Sequence, residues 1–173
     1  GFSDRYLANE EEIVRGITDL AQQIAPQVDV RYVDRLFRTI KTPYPGIPGV
    51  LKVSEREIAG QRDAAKNIIE VSLRYEDPQT VLRHEAVHSF FDMGLLTGGE
   101  QRVLKAKAKE WRTRFDVDTR YRNLAGDETA LNEEGIADAY GAYRGGEKFG
   151  GLIQPAFAKI TRFLQRLANF LRG

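Results

Sequence analysis

The chain contains no cysteine, and its 173 residues include only two histidines, one methionine and one tryptophan. Without thiols there is no disulfide framework, no thiolate metal ligand and no cysteine nucleophile, so any bound metal must be held by nitrogen and oxygen. Long apolar runs are missing too. No segment approaches the roughly 20 residues that a membrane span needs, which implies a soluble protein with no membrane partner. Nor does one sign of charge dominate: 26 basic and 25 acidic residues leave a net charge of +1. No global field therefore draws the chain to nucleic acid, and none is expected as a partner. Repeats and low-complexity linkers are also lacking, so residues 1–173 read as a single domain. The start has no leader-like segment and the last helical pattern runs on to Gly173, so the expectation is a cytoplasmic domain cut from a longer polypeptide.

Periodicity and punctuation predict an α+β architecture. Asn9 and Glu12 have the spacing of a helix start, and Ile13, Ile17, Leu20 and Ile24 recur at helical intervals, giving a helix over 9–25 closed by Pro26. Val28, Val30 and Tyr32 alternate with polar neighbours, as in a half-buried strand. Pro43, Pro45, Gly46, Pro48 and Gly49 mark a loop. Two short strands, 50–53 and 68–73, complete a small sheet, and the second offers an edge for an extended peptide. Asp77 and Pro78 open a helix that stops at Gly94. The Thr97/Glu100 capping box opens another to about residue 115, followed by a polar loop over 116–127. A helix over 128–144 ends at Gly145 and Gly146. Pro155 opens a last one, with Phe157, Ile160, Phe163, Leu164, Leu167, Phe170 and Leu171 on a broad face read as packing inward.

Both histidines fall in one pentapeptide, His84-Glu85-Ala86-Val87-His88, inside the helix that ends at Gly94. Positions i and i+4 stack on one helix face about 6 Å apart, so two imidazoles can reach one zinc ion at about 2.0–2.1 Å. Glu85 lies about 100° around the helix, beside the ion, where a carboxylate can take a proton from an activated water. Two nitrogen ligands and an adjacent general base point to peptide hydrolysis.

A catalytic zinc needs a third protein ligand. A ligand ten residues after His84 would fall on Gly94, which excludes the metzincin arrangement. Asp92 lies two turns, about 12 Å of rise, from His84 and is read as a surface or capping residue. The best remaining source is Asn132-Glu133-Glu134-Gly135-Ile136-Ala137-Asp138, in which Glu134 supplies the ligand and Glu133 is the fallback. Asp138, one turn on, would bond the free nitrogen of a ligating histidine. Gly135, Ala137, Ala139 and Gly141 let this helix approach another closely. Tyr140, Tyr143 and Arg144 are open alternatives for a donor to the oxyanion.

The pentapeptide followed by Asn132 to Asp138 resembles the gluzincin clan of zinc peptidases, over about residues 68 to 144. The resemblance implies His84, His88 and Glu134 as zinc ligands, Glu85 as base and Asp138 as the supporting carboxylate. It also favours Glu134 over Glu133. The run from Asp77-Pro78 through Val81-Leu82-Arg83, with Asn132 to Arg144, is similar to the minimal metallopeptidase domains embedded in large polyvalent proteins of phages and conjugative elements. That likeness implies delivery into a host or recipient cell, action on a protein or peptide substrate, and contacts with other domains of a parent polypeptide. The alternative is a catalytically silent or latent module of the same fold that binds protein. The distal histidine that thermolysin-like enzymes use near the oxyanion has no counterpart here.

Overall fold

The structure, a computed structural model, describes residues 10–38, 43–44, 47–51, 68 and 83–172. Among these residues are seven α-helices: α1 (Glu10–Ile24), α2 (Val30–Arg38), α3 (Arg83–Met93), α4 (Gly98–Arg114), α5 (Val117–Arg120), α6 (Glu128–Arg144) and α7 (Ile153–Arg172). A short 3-10 helix, Arg122–Leu124, follows α5.

The α+β expectation is therefore corrected: apart from one short hairpin the described residues are helical, and the helices pack on one another rather than on a sheet. The extended pairing that is described is an irregular hairpin joining β1 (Pro43–Tyr44) to β2 (Ile47–Leu51), inside the stretch read as a loop. Of the two expected strands, the first overlaps β2 at residues 50 and 51, and its remainder lies outside the described residues. The second is described only at Ile68, which is buried and helical in conformation; its other residues, 69–73, also lie outside.

The strand expected at Val28, Val30 and Tyr32 is a helix instead. Asp29 Oδ1 accepts from the backbone amides of Arg31 at 3.0 Å and Tyr32 at 3.2 Å, satisfying donors that a helix start leaves open. Val33, Leu36 and Phe37 then form its buried stripe. Three residues of apolar alternation were too short a pattern to outweigh a cap and a stripe of spacing i, i+3, i+4.

Helix α6 packs against both α3 and α4, and α7 closes the group through α1, α3 and α4. The inward reading of α7 holds: Phe157, Ile160, Phe163, Leu164, Leu167 and Leu171 are all buried. Phe163 meets Phe90 of α3 edge to face at 5.4 Å, which anchors α3. Where α1 crosses α7, a Cβ on Gly16 would collide with the Phe170 ring, so glycine sets that approach. No helix among the described residues is long and apolar enough to cross a membrane.

Candidate metal centre

Helix α3 carries His84, Glu85 and His88, and local chemistry fixes where it ends. Gly94 adopts φ +70°, and the amides of Gly94 and Leu95 bond the carbonyls of Phe91 at 3.2 Å and Phe90 at 3.1 Å. This is a Schellman stop, in which a left-handed glycine satisfies the last carbonyls. Gln27 Nε2 donates to the carbonyl of Leu95 at 3.2 Å, pinning the stop to the α1–α2 turn. Val87, Phe90 and Met93 are buried. Phe90 and Met93 occupy the opposite part of the helix circumference from positions 84 and 88, with Val87 at the flank, and α6 is met on the His88 side.

On α6, Asp127 caps the start by accepting from the amide of Ala130 at 3.1 Å. Gly135 makes the close approach to α4: a Cβ there would lie 3.1 Å from the Ala108 carbonyl oxygen. That contact bears out the reading of the small residues at Gly135, where α6 meets α4 closely.

The two helices meet at His88. Its Nε2 lies 2.9 Å from Glu134 Oε1, and its Nδ1 lies 3.0 Å from Glu133 Oε1. The side chains are 27% exposed for His88, 19% for Glu133 and 14% for Glu134, so this polar cluster is largely withdrawn from water. Burial acts against a charged imidazole, but the hydrogen bonds to Glu133 and Glu134, reinforced by their charges, prevail and push His88 up to about 10. Without a metal, His88 is held as an imidazolium between two carboxylates.

Each sequence-derived site residue can now be placed. His88 and Glu134 are brought together. His84 and Glu85 occupy the first turn of α3, one turn and nearly one turn before His88, and their side chains lie outside the described residues. Asp138 accepts from Arg120 at 2.8 Å. The carboxylate on His88 Nδ1, where the supporting partner of a ligating histidine belongs, is that of Glu133. Asp92 is exposed, and burial followed by the charge of Glu133 raises its carboxyl.

The oxyanion alternatives on α6 face elsewhere. Tyr140 is fully buried with its hydroxyl 2.8 Å from Thr161 Oγ1, and Tyr143 stacks on it and packs against Phe157. Relative to Glu134, positions 140, 143 and 144 lie about 80–180° around the helix.

Two residues that sequence reasoning passed over do reach the site. Tyr121, in the expected polar loop, is raised by burial and then by the charge of Glu134. Arg120 spans from Asp138 to the Tyr121 hydroxyl at 3.4 Å. No periodicity or motif marks either of them.

The donor set can be tested for fit. Two ligands on a tetrahedral zinc at about 2.0–2.1 Å stand about 3.3 Å apart. The 2.9 Å separation of His88 Nε2 and Glu134 Oε1 would thus open by only a few tenths of an ångström. Among the described residues no group of three or more His, Cys, Asp or Glu side chains converges as a metal cage. Glu133 and Glu134 sit on opposite ring nitrogens of His88 and cannot share one ion with it, so a third ligand must come from beyond this trio. Two grooves, one of about 710 Å³ beside Trp111 and Phe149 and one of about 440 Å³ beside Lys109 and Asp118, include none of these side chains.

No protein-family model, no curated protein and no solved structure matches this chain.

Proposed function

We propose that this chain is a zinc-dependent endopeptidase of gluzincin type, with His84, His88 and Glu134 as ligands and Glu85 as general base. The observation that carries the reading is the 2.9 Å approach of Glu134 Oε1 to His88 Nε2. It joins His88, one of the two histidines of the chain, to a carboxylate 46 residues further on. Both ligand helices are fixed by packing: α3 through Phe90, and α6 through Gly135 and Tyr140.

Zinc, when bound, supplies an acidic water at neutral pH and polarises the scissile carbonyl. The protein's own residues supply the rest. Glu85 takes the proton of the attacking water and passes it to the departing amine. Glu133 holds His88 Nδ1, which fixes the ring so that Nε2 is the nitrogen presented to Glu134. Asp138, one turn beyond Glu134 on α6, is engaged by Arg120 rather than by His88. The expected substrate is a protein or peptide met in the cytoplasm of a host or recipient cell, as the motif's resemblance to the metallopeptidase domains of polyvalent phage and conjugative-element proteins implies.

A second reading, a silent or latent protein-binding module, draws on one observation: both ring nitrogens of His88 are engaged by carboxylates. The experiment that separates them is cleavage of fluorescein-labelled casein by zinc-loaded wild type and Glu85→Gln. Cleavage by the wild type alone supports the peptidase. Bound zinc with no cleavage by either protein supports the silent module.

A further inference from the structure

Helix α4 carries six basic side chains against two acidic ones, Glu100 and Glu110, although the net charge of the chain is only +1. Three of the six are neutralised within the fold. Arg112 holds Asp118 at 2.6 Å and Glu128 at 2.5 Å, Arg114 holds Glu147 at 2.5 Å, and Lys107 reaches Glu110 at 3.3 Å. The other carboxylate of the helix, Glu100, is taken by Lys159 of α7 at 2.8 Å. Arg102, Lys105 and Lys109 are exposed, and none of them pairs with a carboxylate among the described residues.

These three share one face. At 100° per residue they fall within about 60° of one another, and they span about 10 Å along the axis. Leu104, Ala108 and Trp111 bury a different face. The middle member ties the stripe to the helix of the candidate metal centre. Lys105 Nζ stands 5.7 Å from the centroid of the Phe91 ring, a cation–π contact, and Phe91 lies three residues beyond His88, its neighbour on the surface of α3. At the far end Lys109 borders the groove that contains Asp118 and Glu128, whose charges Arg112 already meets. Like charges three and four residues apart on a helix repel, and an anion laid along them removes that cost.

We infer that Arg102, Lys105 and Lys109 form a docking stripe beside the metal centre that selects protein substrates carrying an acidic segment; that the partner is a substrate rests on the peptidase reading. Alternate side chains of an extended peptide stand about 6.6 Å apart on one side. Successive members of the stripe rise by about 4.5 and 6 Å, so carboxylates at every second position can meet successive cations. A nucleic acid fits less well, because it is anionic along its whole length and the flank towards α3 and α6 carries Asp92, Glu133 and Glu134. A peptide can confine its negative charge to the stripe.

The test is binding of a fluorescein-labelled peptide of alternating glutamate and serine, read by anisotropy after zinc has been offered. The proteins are wild type, a stripe variant with Arg102→Gln, Lys105→Gln and Lys109→Gln, and a control with Lys107→Gln, Arg114→Gln and Lys148→Gln, which removes the same charge at the groove beside Trp111. The unfolding midpoint of each shows that it is folded. The stripe variant should bind the peptide about 10-fold more weakly than wild type, and the control should keep wild-type affinity. Salt at about 1 M, where the screening length is about 3 Å, should abolish binding. Equal affinity of stripe variant and wild type, or an equal loss in the control, would overturn the inference, as would tighter binding of oligothymidylate than of the acidic peptide. A wild type that takes up no zinc yet binds the peptide through the stripe would overturn the peptidase reading alone, because docking is read without turnover.

Discussion

Helix α6 has two working faces of opposite character. On one side Tyr140 is buried against Phe157 of α7 with its hydroxyl on Thr161, and Tyr143 stacks beside it. On the other, Glu134 and Asp138 meet His88 of α3 and Arg120 after α5, while Glu133, two turns before Tyr140, also reaches His88. The aromatic face is held by apolar area and ring contacts, which are non-directional and tolerant of pH. The acidic face is held by charge-assisted hydrogen bonds, which are directional and change with protonation. One face fixes the helix in place, and the other is left to carry chemistry that needs movable protons and open lone pairs.

That contrast can be broken at either face, and the largest effects should come first. Glu85→Gln should lower peptidase turnover by about 10²- to 10⁴-fold, as expected for loss of a general base, while zinc stoichiometry stays at the wild-type value. Elemental analysis beside a cleavage assay checks both halves. On the aromatic face, Phe157→Ala should cost about 3–5 kcal/mol of stability, read by chemical denaturation, because the ring is fully buried among Trp111, Tyr140, Tyr143 and Phe149.

Gly135→Val probes the link between the two faces. A branched side chain must push against the α4 backbone at Ala108 and Arg112, costing about 1–3 kcal/mol and weakening zinc binding by moving Glu134. Tyr140→Phe should cost only about 1 kcal/mol, one hydrogen bond to Thr161, and leave zinc affinity unchanged. A drop in affinity with that variant would erase the distinction between the faces.

Protonation sharpens the comparison further. His88 is raised in the folded, metal-free protein from 6.5 to about 10. Its contribution to stability is therefore complete below the unfolded value near 6.5 and is lost as pH rises through about 10. Metal-free protein should become easier to unfold across that window, and His88→Gln should flatten the trend. Zinc binding should run the other way, tightening with pH and releasing protons, because the ligand is the neutral ring. Calorimetry in buffers of different ionisation enthalpy would count the protons.

Much of this arrangement was legible in the sequence, and the exceptions have physical reasons. The Thr97/Glu100 box is present with both of its hydrogen bonds. The glycine stop of α3, the bounds of α6 and the inward face of α7 were also readable, because caps and long apolar stripes act locally. The strand read at Val28 to Tyr32 was wrong because Asp29 starts a helix there. The class was wrong because short apolar runs do not distinguish strand from helix. Glu134, singled out by context and preferred to Glu133 through the resemblance, lies against His88 Nε2, and the fallback Glu133 lies against Nδ1. Arg120 and Tyr121 were passed over, and which carboxylate faces which ring nitrogen depends on helix rotation, which no motif encodes.

The central claim is that α3 and α6 together hold one zinc ion. Elemental analysis of zinc on purified wild type, His88→Ala, Glu134→Ala and Glu85→Gln tests it most directly. The account predicts one zinc per chain in the wild type, retained by Glu85→Gln and lost or weakened in the other two. A wild type that takes up no zinc when the metal is offered, or variants that hold it as tightly as wild type, would contradict it.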